Sequence, residues 1–253
     1  MRIKRIIKVI LLAGAGFVLG AIAFQAIMYI RVSRLRDQNP TSTSMMEARA
    51  QESLAQGRQP AHEQTWAALG RISPNLQRAV IAGEDTNFTT HHGFDYQAIQ
   101  KAWEQGQREA EKEAKKEGDN DPGWLPDTSS FKRGGSTISQ QLAKNLYLST
   151  QRSFFRKGEE AALTIMLERT LTKRRILEIY LNVIEWGDGI YGAEAAALRY
   201  FRKPSSALSA NEAAFLSAMI PNPRTVFNPQ TNPRRVARRQ RIILRGMPYI
   251  KLP

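Results

Sequence analysis

The sequence predicts a mainly α-helical protein with one N-terminal transmembrane helix. Three observations carry that prediction. An unbroken apolar run lies beside the N-terminus, a series of amphipathic segments begin on Ser, Thr or Pro and stop at Gly or Pro, and nowhere does the two-residue alternation of a half-buried strand stand out. The 253 residues suffice for one sizeable domain plus an anchor, without room for a second full-size catalytic domain. Lysine and arginine number 37 against 23 acids, a formal charge of +14, so an anionic partner is expected: nucleic acid, an acidic membrane surface or a phosphorylated substrate. Cysteine is absent, which leaves no disulfide and no thiolate metal site to consider.

Residues 1–8 (MRIKRIIK) are basic, and 9–30 are apolar apart from Gln25, with Tyr29 near the far end. At about 1.5 Å per residue the run 9–30 covers the roughly 30 Å hydrocarbon core of a bilayer. The basic residues before it favour a cytoplasmic N-terminus and place the rest of the chain outside, although Arg31, Arg34 and Arg36 reduce the asymmetry. A cleavable signal peptide is the alternative, with Ala21, Ile22 and Ala23 at cleavage spacing. Apolar residues continue to Ile30, which favours an uncleaved anchor. Residues 31–64 are rich in Gln, Ser, Thr and Glu and are expected to be a linker holding one short helix, Ser44 to Ala55. The soluble domain is expected over 65–253.

Ser73 and Pro74 read as cap and first position of a helix whose Leu76, Ala79, Val80 and Ile81 face a core. That helix leaves through Glu84 and Asp85. The macrodipole disfavours acids at a helix C-terminus, so an acidic pair there points to function. Held at the rim of a core, such a carboxylate would have its pKa raised toward the range of proton transfer. His91 and His92 are adjacent and diverge, and with His62 the only other histidine, no histidine zinc site is expected. Asp95 to Lys116 reads as a charged helix, followed by a Gly, Pro and Asp loop.

The chain is organised around 132–182. Gly134 and Gly135 form a turn, Ser136 or Thr137 caps the next helix, and Thr137 with Gln140 has capping-box spacing. At about 100° per residue, Gln141 and Lys144 share a face separate from that of Ile138, Leu142 and Leu146. After a break at Ser149 to Arg152, Arg156 and Lys157 precede Glu160 by four and three residues, which puts all three on one patch. With Lys144 these cations suit a phosphorylated ligand, or they form a solvated surface with one intrahelical ion pair. Beyond lie a glycine-rich turn at Glu185 to Gly192, a small-residue helix at Ala193 to Tyr200, and a helix opened by Ser209 and closed by Pro221. Pro233 to Arg245 is a basic amphipathic helix fit for anionic head groups or phosphates, or simply a solvated face.

These motifs in order resemble the peptidoglycan glycosyltransferases of the penicillin-binding-protein type, specifically the monofunctional biosynthetic transglycosylases. The resemblance rests on Glu84, Asp85, Phe88, His91 and Gly93, on Gly134 to Thr137 with Gln140, Gln141, Lys144 and Asn145, and on Arg156, Lys157 and Glu160. Thr172 to Asn182 and Gly189 to Ala196 extend it. It implies a lysozyme-like glycosyltransferase domain that polymerises lipid II outside the cytoplasmic membrane of a bacterium. It assigns Glu84 as general base, with Glu160 positioning the donor side, and places Lys144, Arg156 and Lys157 around the pyrophosphate. Asp85, Phe88, His91, Ser136, Thr137, Gln141 and Asn145 complete the implied substrate site. The implied partners are lipid II, the growing lipid-linked glycan, the phospholipid membrane and other cell wall synthesis and division proteins. No cofactor is required on this reading, and the acids near the site leave room for a divalent metal ion. The stretch Glu113 to Ser130 is longer than the family pattern, and the end at Pro253 leaves no space for a transpeptidase. The competing readings are a lytic hydrolase on the same fold and a basic scaffold or nucleic-acid binder, which explains the charge but not the ordered motifs.

Overall fold

The computed structural model describes residues 2–117, 136–148 and 154–253. Gly134, Gly135, most of the loop after the charged helix and the break before Arg156 fall outside them. The fold is mainly helical, as expected. Helix α1 (Arg2–Arg34) contains a stretch, Gly14–Arg34, long and apolar enough to cross a membrane. Its outward residues Leu11, Leu12, Leu19 and Ile22 are exposed. By length and composition it is compatible with a single-pass anchor.

The expected linker 31–64 is not a free tether. Val32, Leu35 and Met46 are buried in the same core as the helices that follow. Arg36 Nε donates to Thr170 O at 2.9 Å, and Arg175 donates to the carbonyls of Leu35 and Gln38. Few apolar residues do this packing, which is why the composition looks like that of a tether. Helix α2 (Ser44–Ala55) starts where expected, capped by Thr43, whose hydroxyl accepts from Met46 N.

Strand β1 (Glu63–Gln64) leads to α3 (Pro74–Glu84), which begins at the predicted Ser73 cap and buries Leu76, Ala79, Val80 and Ile81. Helix α4 (Tyr96–Glu117) is opened by Asp95, whose carboxylate accepts from Ala98 N at 2.9 Å. Helices α5 (Ile138–Tyr147), α6 (Phe154–Thr170) and α7 (Lys173–Val183) follow, and α5 packs on both of the others.

The glycine-rich turn proves to be a hairpin, β2 (Glu185–Gly187) and β3 (Ile190–Tyr191), with β1 alongside β3 in the order β1-β3-β2. Strands of two or three residues are too short to show an alternation. Two glycines are required here. Gly189 has φ +72° and passes so close to Ala61 that a Cβ would lie 2.6 Å from its carbonyl oxygen. Gly192, at φ +83°, leaves 2.7 Å between a notional Cβ and Asn182 O. Helices α8 (Ala193–Phe201), α9 (Ala210–Met219) and α10 (Pro233–Gly246) complete the domain, with α9 and α10 both packed on α3. Around this end, Arg49 pairs with Glu52 and Glu185, and Arg224 with Glu52 and Asp188, which ties α2 to the hairpin and to the segment after α9.

Candidate active site

Glu84 is the last residue of α3, and the chain turns away at once through an extended Asp85. Gly83 lets α9 and α10 close onto this end, since a Cβ there would lie 2.7 Å from Ser217 Oγ and 3.1 Å from Ile243 Cδ1. The close approach delivers Arg239 of α10, whose Nη2 donates to Glu84 Oε1 at 2.7 Å and to Gly83 O at 2.8 Å. From the other side Gln141 Nε2 donates to Glu84 Oε2 at 2.9 Å. Tyr180 in turn donates its hydroxyl to Gln141 Oε1 at 2.7 Å. The Glu84 side chain is 7% exposed. Burial pushes its carboxyl above the usual range, while the Arg239 charge, the Gln141 and Arg239 hydrogen bonds and the Lys144 charge hold it back.

A cavity of about 690 Å³ opens beside it, lined by Glu84, Ser136, Gln141, Lys144, Asn145 and Arg239. Met45, Arg49, Glu185, Asn222 and Phe227 extend its wall. A smaller cavity of about 190 Å³ is lined by Glu84 and Ser136 again, now with Asp85, Thr86, Asp95 and Thr137. Glu84 thus belongs to the wall of two chambers, one with cations and one whose charged groups are acids.

Lys144 is the link to the second set of predicted residues. Burial lowers its pKa, Glu160 and Glu84 counteract that, and Arg156 and Lys157 reinforce it. These four charges therefore act on one ammonium group. Glu160 is 5% exposed and pairs with Lys157 one turn before it. Arg156, Lys157 and Glu160 do not line the larger cavity themselves. They are close enough to Lys144 for their charges to act on it. Among the described residues no group of three or more His, Cys, Asp or Glu side chains gathers to hold a metal ion.

The family model described as transglycosylase matches residues 50–118 and 124–248. The chain belongs to the transglycosylase family. It is 47% identical over 216 residues to the biosynthetic peptidoglycan transglycosylase of Laribacter hongkongensis, covering 85% of this chain and 86% of that protein. It is 46% identical over 217 residues to the protein of the same description from Thiobacillus denitrificans, with 86% and 85% covered. With that from Methylobacillus flagellatus the identity is 43% over 232 residues, covering 92% and 93%. The gap between the two matched stretches falls inside the loop that the sequence marked as long.

Two residues that the transglycosylase motif suggested for substrate contact are built into the frame. Phe88 is fully buried, with Lys173 Nζ 4.5 Å above its ring. His91 Nδ1 accepts from Gly93 N at 3.1 Å, so Nε2 carries the proton and donates it to Asp85. Both lie outside the walls of the two cavities. The reason is local. The chain after Asp85 coils back through turns, Phe88 N donating to Asp85 O and His91 N to Asn87 O, which swings the ring of Phe88 inward. Asp85 and Thr137 line the smaller cavity and also hold the frame. Asp85 Oδ2 accepts from Ile138 N at 2.9 Å and thereby fixes the start of α5, while Thr137 forms the capping box with Gln140 and donates to Gly93 O at 2.7 Å.

Among transglycosylase residues that sequence reasoning missed, Arg239 stands first. A signal existed: Val236 and Ile243, seven apart, are the buried stripe of α10, and Arg239 sits between them on the same face. A cation on an apolar stripe requires a buried partner. Tyr180, Glu185 and Arg49 carried no comparable signal, because their neighbours come from distant segments.

Proposed function

We propose that this member of the transglycosylase family builds the glycan strands of peptidoglycan for the bacterial cell wall from lipid II. The 4-hydroxyl of the GlcNAc in an incoming lipid II attacks the anomeric carbon of the lipid-linked strand. Glu84 takes the hydroxyl proton, the bond from the anomeric carbon to the undecaprenyl diphosphate oxygen breaks, and configuration inverts. A diphosphate leaving group needs charge stabilisation more than protonation, and the cations serve that need. Lys144 lies at the cavity wall, Arg156 and Lys157 add positive charge near it, and Glu160 holds Lys157. The observation that carries this reading is that Glu84 and Lys144 line one cavity, with both Glu84 oxygens held by donors. The basic segment 1–8 and the apolar helix after it support a single-pass anchor, with the domain on the periplasmic side of the cytoplasmic membrane where both substrates are held.

The test is gel analysis of products from labelled lipid II incubated with the detergent-solubilised protein. Wild type should yield a ladder of long strands, and Glu84→Gln should fold, remain in the membrane fraction and yield none. Long strands from Glu84→Gln would remove Glu84 from the role of base. Release of soluble fragments from finished cell wall, without lipid II consumption, would select hydrolysis instead.

A further inference from the structure

The hydrogen bond that Gln141 makes to Glu84 depends on which way its amide points, and a buried phenol one step further back decides that. We propose that Tyr180 is a positioning residue that locks the Gln141 amide with its nitrogen toward Glu84. The inference rests on Glu84 being the base.

Tyr180 lies on α7, fully buried, and its hydroxyl is 2.7 Å from Gln141 Oε1. An ionised Glu84 can only accept, so Gln141 must turn its nitrogen to it at 2.9 Å, and its oxygen must then receive the phenol proton. The chain of donors runs one way, from Tyr180 through Gln141 to Glu84. When Glu84 is protonated the amide could reverse, accepting from Glu84 and donating to the phenol oxygen. Among the described residues, however, no other acceptor takes the Tyr180 proton, so reversal would strand a buried O–H. Tyr180 therefore favours the ionised, reactive form of Glu84. Burial also raises the phenol well above its ordinary pKa, so it remains a donor throughout the working range.

The other groups facing Glu84 cannot do this. Arg239 from α10 engages the second oxygen, Lys144 from α5 acts through space, and Asp85, just past the end of α3, is turned to Ile138 N and His91. None of these contacts bears on the Gln141 amide.

The experiment is the pH profile of lipid II polymerisation by full-length protein in detergent, for wild type, Tyr180→Phe, Gln141→Met, the double variant and Glu84→Gln. Tyr180→Phe should move the acid limb up by about one pH unit, with activity largely recovered on the alkaline side of that limb. Gln141→Met should move it in the same direction, and the double variant no further than Gln141→Met alone. A Tyr180→Phe profile that falls uniformly without moving, or shifts that add in the double variant, would overturn the proposal. If Tyr180→Phe does not fold, Gln141→Met decides alone, and an unmoved limb there overturns the proposal equally. Activity in Glu84→Gln would defeat the underlying assignment of the base. An inactive Glu84→Gln with an unmoved Tyr180→Phe limb defeats only the positioning role.

Discussion

Lys144 carries a charge that its surroundings resist. Burial and the nearby Arg156 and Lys157 lower its pKa, opposed by Glu160 and Glu84. As pH rises through a lowered lysine pKa the ammonium is lost, so a diphosphate held by it should bind less well on the alkaline side, below the range of an ordinary lysine. Lys144→Arg, which keeps its charge, should move that alkaline fall to higher pH even if maximal activity is several-fold lower; a pH series of lipid II turnover checks it. Glu84 and Lys144 were legible in the sequence because each breaks a local rule: an acid ends an apolar helix, and a cation shares a face with Gln141 apart from the core stripe. That Phe88 and His91 are packed into the frame was not legible, because motif spacing does not say which way a turn faces. Arg239 was legible as a cation on the apolar stripe of α10, but its partner was not, since Glu84 lies far away in sequence.

At the scale of elements, the start of α5 bears most of the site. The Thr137 hydroxyl accepts from Gln140 N and donates to Gly93 O, the Thr137 backbone N–H donates to Gln140 Oε1, and Asp85 accepts from Ile138 N. Thr137→Ala should cost about 1–2 kcal/mol, measured by thermal or denaturant unfolding in detergent, and should lower turnover because Ser136 and Gln141 flank the same turn. This helix was readable to the residue, because capping boxes and 3.6-residue periodicity are local signals. The hairpin was not. Its strands hold together through the positive φ of Gly189 and Gly192 and through contacts with Ala61 and Asn182, which no window of sequence reveals.

For the molecule as a whole, the segment between anchor and domain is part of the domain. Removing 1–30 should leave a folded protein. Removing 1–64 strips Val32, Leu35 and Met46 from the core and should lower stability by roughly 5 kcal/mol, which unfolding of the two truncations compares directly. Composition could not reveal this, because three apolar side chains among many polar ones do not change an average. The seating of Val32 and Leu35 also has a mechanical consequence. Helix α1 joins the catalytic body without a swivel, so on the membrane-anchored reading any lean of the helix in the lipid leans the cavity with it. Lipid thickness, which sets that lean, then helps to set the angle at which Glu84 meets a substrate lying in the plane of the bilayer.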